Sequence, residues 1–109
     1  MALAIAASGT LTSVISTEHT LATLTTGKTF CLKVDTAAML NSDVLELRIY
    51  DISLAAGVER LAYYVAYAHA QGTPIKISVP VPSNISFKAT LKQVAGTARS
   101  FPWVVLSLD

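Results

Sequence analysis

The residues able to attack a bond, hold a metal or move a proton are few in this chain. Among 109 residues there are one cysteine, Cys31, and two histidines, His19 and His69. A thiolate nucleophile needs a base held beside it, and no local signature brings Cys31 to either histidine. In KTFCLKV the cysteine has the neighbours of an ordinary strand residue. It reads as a buried free thiol, and the histidines as surface or hydrogen-bonded side chains. The G-x-S-x-G elbow that presents a serine nucleophile is absent. The sequence offers no catalytic residues, and an enzyme is the class it supports least.

Metal and phosphate chemistry fare no better. Zinc sites cluster cysteines and histidines at short spacings, which one cysteine and two distant histidines cannot supply. DTAAMLNSD lacks the ordered oxygen ligands and the glycine of a calcium loop. Glu18 beside His19 in STEHT reads as a turn with a polar side chain bonding to backbone. QVAGTARSFPW carries Gly96, Thr97 and Arg99, but a phosphate-cradling loop needs further glycines, a lysine and a following helix. Here a strand with Trp103 follows. Gly96 is expected at positive φ in a hairpin turn, with Arg99 at its rim. No metal and no cofactor are expected.

What remains is recognition. Arg99 and Trp103 are of the residue types that dominate interface energetics. A charge reversal, Arg99→Glu, is expected to weaken assembly while leaving the isolated fold intact. The stretch ERLAYYVAYAHA holds three of the four tyrosines, Tyr63, Tyr64 and Tyr67. Three so close cannot all face one core, so at least one is expected to meet solvent or a neighbouring subunit. As a helix, the stretch would put Leu61, Val65 and Ala68 near one face. The strand reading is favoured, because a hairpin loop centred on Gly57 precedes it. As a strand it pairs with 43–53 and sets Tyr63, Val65, Tyr67 and His69 opposite a mostly alanine row that lets another layer approach closely.

The elements that must position these residues follow an all-β pattern: short apolar or alternating segments recur between Gly, Pro, Asn and Asp. DVLELRIYD alternates Leu45, Leu47 and Ile49 with Glu46, Arg48 and Tyr50. ISFKATLKQV sets Ile85, Phe87, Ala89 and Leu91 against Lys88, Thr90 and Lys92, and KTFCLKV sets Phe30, Leu32 and Val34 against Cys31 and Lys33. Such alternation marks half-buried antiparallel strands. Pro74, Pro80 and Pro82 break GTPIKISVPVPSN into an edge-like strand and an extended connection, and Pro102 is expected to open the last strand. VDTAAMLNSD is the best candidate for a short helical turn, with Asp35 or Thr36 as N-cap and Asn41 near its end. The expected fold is a single antiparallel β-sandwich or barrel-like domain over 1–109, of about seven to eight short strands. Its apolar stretch 1–9 is either an arm that orders on docking or a frayed end.

Charged residues make up 14% of the chain, against about 25% in a typical soluble domain. A small domain normally covers itself with Lys, Glu, Asp and Arg, so their scarcity implies surface buried by neighbours and points to a homo-oligomer. A net charge of +1 with no basic run leaves no footprint for nucleic acid. No stretch approaches the roughly 20 apolar residues of a membrane span, and MALAIAASGT lacks the basic start of a signal peptide. The lone cysteine fits synthesis in a reducing compartment. Neither a nucleic-acid nor a membrane partner is expected.

Taken in order, TEHTLATLTTGKTF, VDTAAMLNSDVLELRIY, RLAYYVAYAHA, PIKISVPVPS and LKQVAGTARSFPWVVLSL resemble small virion structural proteins of tailed bacteriophages over most of the chain. The resemblance is one of pattern, without a signature motif. It implies a β-sandwich or barrel-like protein without enzymatic activity that decorates or cements the capsid, binding across subunits of the major capsid protein. Such a protein is made in the host cytoplasm and ends on the virion surface. The candidate partner-interface residues are Leu3, Ile5, Tyr63, Tyr64, Tyr67, Arg99 and Trp103. The alternatives are a tail or head–tail connector ring, and a carbohydrate- or host-binding module that stacks its ligand on Tyr63, Tyr64, Tyr67 and Trp103.

Overall fold

The computed structural model describes residues 3–108. Alternating side chains form nine strands: β1 (Leu3–Thr12), β2 (Glu18–Leu24), β3 (Lys28–Asp35), β4 (Val44–Asp51), β5 (Arg60–Ala68), β6 (Ile75–Ile77), β7 (Val81–Ser83), β8 (Phe87–Ala95) and β9 (Ser100–Leu108). No helix occurs among the described residues. One sheet runs β1-β9-β3-β6, with β7 also on β3, and the other runs β2-β8-β4-β5. All pairings are antiparallel, and the two sheets pack together as a β-sandwich.

The three segments read from their alternation supply most of the interior. Phe30, Leu32 and Val34 of β3, Leu45, Leu47 and Ile49 of β4, and Phe87, Ala89 and Leu91 of β8 are all buried, joined by Phe101 and Val105 of β9. Because side chains alternate across a strand, Glu46, Arg48, Tyr50, Lys88, Thr90 and Lys92 then lie on the outside of the second sheet. The stretch with three tyrosines is strand β5, paired with β4 through Leu45↔Tyr67, Leu47↔Val65 and Ile49↔Tyr63.

Four expectations need correction. The strand count is nine, partly because the proline-broken segment yields two short strands, β6 and β7, that take successive parts of β3. Of the stretch 1–9, expected as an arm or a frayed end, residues 1 and 2 lie outside the described residues and residues 3–9 open β1, pairing with β9 from Leu3↔Leu108 onward. Short alanine and serine side chains hid that strand's alternation. VDTAAMLNSD is not helical: Met39 N–H donates to Thr36 O and Asp43 N–H to Leu40 O, two successive turns. Asp35 accepts from Ala37 N–H, while the Thr36 hydroxyl turns away to Pro74 O. Finally, Pro102 is the third residue of β9 and not its first. It is tolerated there because β3 pairs with β9 only as far as Val34↔Trp103, leaving Pro102 opposite Thr10 of β1 alone.

Candidate assembly surface

No site that gathers the candidate residues exists; the fold distributes them over both sheets and one end of the sandwich. Trp103 and Val105 share the inner parity of β9, and Trp103 packs on the core beside Gly9. A side chain at position 9 would sit 3.2 Å from the indole ring. Tyr63 and Tyr67 share the inner face of β5 and pack half-buried against the core, with Lys76 Nζ 4.8 Å from the Tyr67 ring centre. Tyr64 points the opposite way and is exposed. The four aromatics therefore do not make one stacking platform. His69 does not extend the aromatic row, because the strand stops at Ala68; its φ is 67° and its N–H donates to Asp43 O.

Arg99 is committed to its own chain. Asp43, only 1% exposed, accepts hydrogen bonds from Leu40 N–H, Thr97 N–H and Arg99 Nε, at 2.9, 3.0 and 2.9 Å. Gly96 crosses this carboxylate at φ 94°, so closely that a Cβ there would overlap it. Arg99 N–H donates to the Ser13 hydroxyl, which donates to Gln93 Oε1; Gln93 in turn donates to Thr97 O. Gly96 thus behaves as the sequence suggests, with Arg99 at the rim of its turn. The expected effect of Arg99→Glu is corrected, however. A carboxylate in place of the guanidinium faces Asp43, so the substitution disturbs the fold along with any assembly.

The histidines and the cysteine are likewise apart and bonded to backbone. His19 Nε2 accepts from Val14 N–H, His69 Nδ1 accepts from Ser42 N–H, and the Cys31 thiol donates to Ser78 O. Among the described residues no three of His, Cys, Asp and Glu cluster.

The two outer faces differ in chemistry. On the β2-β8-β4-β5 sheet, cross-strand partners carry opposite charges along the row Glu18↔Lys92↔Glu46. Thr90 and Tyr50 hydroxyls both donate to Glu18 Oε2, at 2.7 and 2.9 Å, and Tyr64 donates to Glu46 Oε2 at 2.9 Å. Arg48 lies 4.9 Å from the Tyr64 ring centre with its Nη1 2.8 Å from Glu46, and Lys88 lies 4.8 Å from the Tyr50 ring centre. Most groups of this face pair with one another, although Arg48 Nη1, buried beside Glu46, makes an ion pair without a well-formed hydrogen bond.

The outer face of the β1-β9-β3-β6 sheet is aliphatic at one end, while Ser8, Thr10, Thr12 and Ser100 make the other end of its β1 side polar. The pairs Leu3↔Leu108 and Ile5↔Leu106 place four aliphatic side chains together, and Val104 follows on β9 with Ile77 beyond Lys33. Leu3 and Ile5 are 63% and 69% exposed. Two of the seven candidates thus lie on this face, while Val104, Leu106, Leu108 and Ile77 were missed. The signal was present in WVVLSL, where apolar residues fall on both parities, as in strands covered on both faces.

Comparison with family models, curated proteins and solved structures finds no match for this chain.

The ionised groups make stability fall in acid. The Thr90 hydroxyl holds Glu18 below the ordinary carboxylate range against the opposing effect of burial. Burial pushes Asp43 and Glu46 up, but backbone N–H groups and Arg99 outweigh it at Asp43, and Tyr64 and Arg48 at Glu46, so both also end low. A lowered native pKa means that the unfolded chain takes up protons first. The stabilisation is complete above the ordinary carboxylate pKa and is lost as pH falls through the native values. Urea midpoints are expected to match at pH 7 and pH 6 and to drop below about pH 4. A midpoint unchanged down to pH 2.5 would contradict these pairings.

Proposed function

We propose that this chain is a non-enzymatic virion structural protein, in its most specific version a capsid decoration protein that binds across the major capsid protein lattice and stabilises the head. The observation that carries the reading is the pair of unlike faces, one a network of paired charges and hydroxyls and the other a sheet surface with an exposed aliphatic patch around Leu3 and Ile5. A rigid sandwich with such a face assembles by burying it against another protein surface. The gain is of the order of 25 cal/mol per Å² of apolar area before association costs are subtracted. Many identical copies on one lattice multiply a modest individual affinity by avidity. The phage setting and the capsid partner rest on the resemblance of the sequence pattern.

The test is to measure the mass of the purified protein by light scattering, then to mix it with undecorated phage capsids and sediment them. Saturable co-sedimentation at a fixed copy ratio is the expected result. A closed ring that leaves capsids bare would overturn decoration in favour of a tail or connector component.

A further inference from the structure

We infer that the outer face of the β1-β9-β3-β6 sheet is covered by the same face of a second copy, giving a dimer of stacked sandwiches. The inference rests on the reading of this face as an assembly surface and goes beyond it by naming the occupant.

The first step is that the edges are blunted. Each long edge strand has a register break against its neighbour: β1 between Ile5 and Ala7, β2 between Thr20 and Ala22, and β5 opposite Ile49 and Tyr50. The remaining edge consists of two three-residue strands, with Pro80 between them and Pro82 inside the second. Bulges, short strands and prolines are the devices that stop edges from pairing with other chains. Association by edges is disfavoured, which leaves the faces.

The second step chooses the face. Most charges and hydroxyls of the β2-β8-β4-β5 surface are already paired with one another. The opposite surface carries Leu3, Ile5, Val104, Leu106, Leu108 and Ile77, with Ser8, Thr10, Thr12 and Thr29 as its uncharged polar positions. Its charged side chains among the described strand residues are Lys33 and Asp35, at the end away from Leu3 and Leu108. Their signs are opposite, so the face carries no net charge to drive two copies apart. An antiparallel sheet with one free face normally makes that face polar, as the other sheet does here.

The third step is size. Four strands at about 4.8 Å spacing and about nine residues at 3.3 Å each give a face of roughly 19 by 30 Å, near 570 Å². Two such faces together bury about 1,100 Å², just above the roughly 1,000 Å² that a specific interface needs. The molecule measures 41 × 30 × 18 Å, a slab on whose broad side such a face takes up about half the area. Stacking two slabs places four sheets in a row, with the apolar faces inside and both polar networks outside. An aliphatic face without directional charge in its apolar rows suits a like surface, and a two-fold axis in the interface makes every contact reciprocal.

The experiment is sedimentation equilibrium of the full chain over a concentration series, beside the variants Ile5→Lys and Leu106→Lys. The wild type is expected at twice the 11.5 kDa chain mass. Ile5→Lys should raise the dissociation constant about 100-fold, the scale of a lost interface hot spot. Ile5 is 69% exposed, so its fold should survive, as circular dichroism would show. Leu61→Lys, on the polar sheet, should leave the dimer unchanged. Cys31 shares the apolar face, so its alkylation should slow as wild-type concentration rises and stay constant in Ile5→Lys. A monomer at every concentration overturns the inference, as does an oligomer that survives both lysines or is lost with Leu61→Lys. Capsid co-sedimentation is scored separately. A monomer that binds capsids would sink the dimer and keep the proposed function, whereas a dimer that ignores capsids would do the reverse.

Discussion

Asp43→Ala is expected to destabilise the fold by about 3–5 kcal/mol, the scale of breaking a buried charge pair by removing one partner. Three groups lose their acceptor at once: Leu40 N–H, Thr97 N–H and the Arg99 guanidinium. The two amides hold different loops, one before β4 and one between β8 and β9, so the carboxylate ties the sheets together at this end. Gly96 presses against it with no room for a side chain. Water cannot take over cheaply, because Asp43 is 1% exposed, whereas the Arg99 side chain, at 25%, can recover part of its hydration. Arg99→Met should accordingly cost less than Asp43→Ala. Urea unfolding of the two variants checks the order. Equal losses would mean that the ion pair, and not the amide bonds, gives Asp43 its weight.

The interior was legible in the sequence because one face of each central strand is solvated. In β4 and β8 the polar residues between Leu45, Leu47, Ile49 and Phe87, Ala89, Leu91 mark the parity, and parity is all that a half-buried strand needs. Where side chains are small or apolar on both parities, the same reading loses its contrast. Ala4, Ala6, Ala7 and Gly9 gave β1 no alternation to detect, and WVVL gave β9 no outside. The Asp43 corner was hidden for another reason: two of its three partners, Thr97 and Arg99, lie more than 50 positions away, and an NSD turn looks like any other. Single residue types were likewise a poor guide to the surface. Arg99 and Trp103 have the composition of interface anchors, yet one serves a buried carboxylate and the other the core. The apolar face is a property of pairing between β1 and β9, which becomes visible only when the register sets Leu3 beside Leu108 and Ile5 beside Leu106.

Phe87→Ala is expected to remove about 3–5 kcal/mol of stability, combining lost apolar burial with the cavity left behind. Phe87 is fully buried on β8, and its ring lies 5.0 Å from that of Phe30 on β3, tilted by 42°. The two rings belong to opposite sheets, so their contact joins the sandwich across its midplane. The structure offers no disulfide or helix among the described residues to share that work. A double-mutant cycle with leucine at both positions should give a coupling of about 0.5–1.5 kcal/mol, the part due to the aromatic pair itself. Phe87 also decides which side of β8 is inside. A slip of one residue would turn Lys88, Thr90 and Lys92 into the core, and the anchored ring makes that exchange costly. The sorting of polar and apolar outer faces, on which the assembly reading depends, therefore begins with inward anchors such as this one. Phe87→Ala should show a lower urea midpoint with an unchanged slope. A loss below about 1 kcal/mol would place the ring outside a well-packed core.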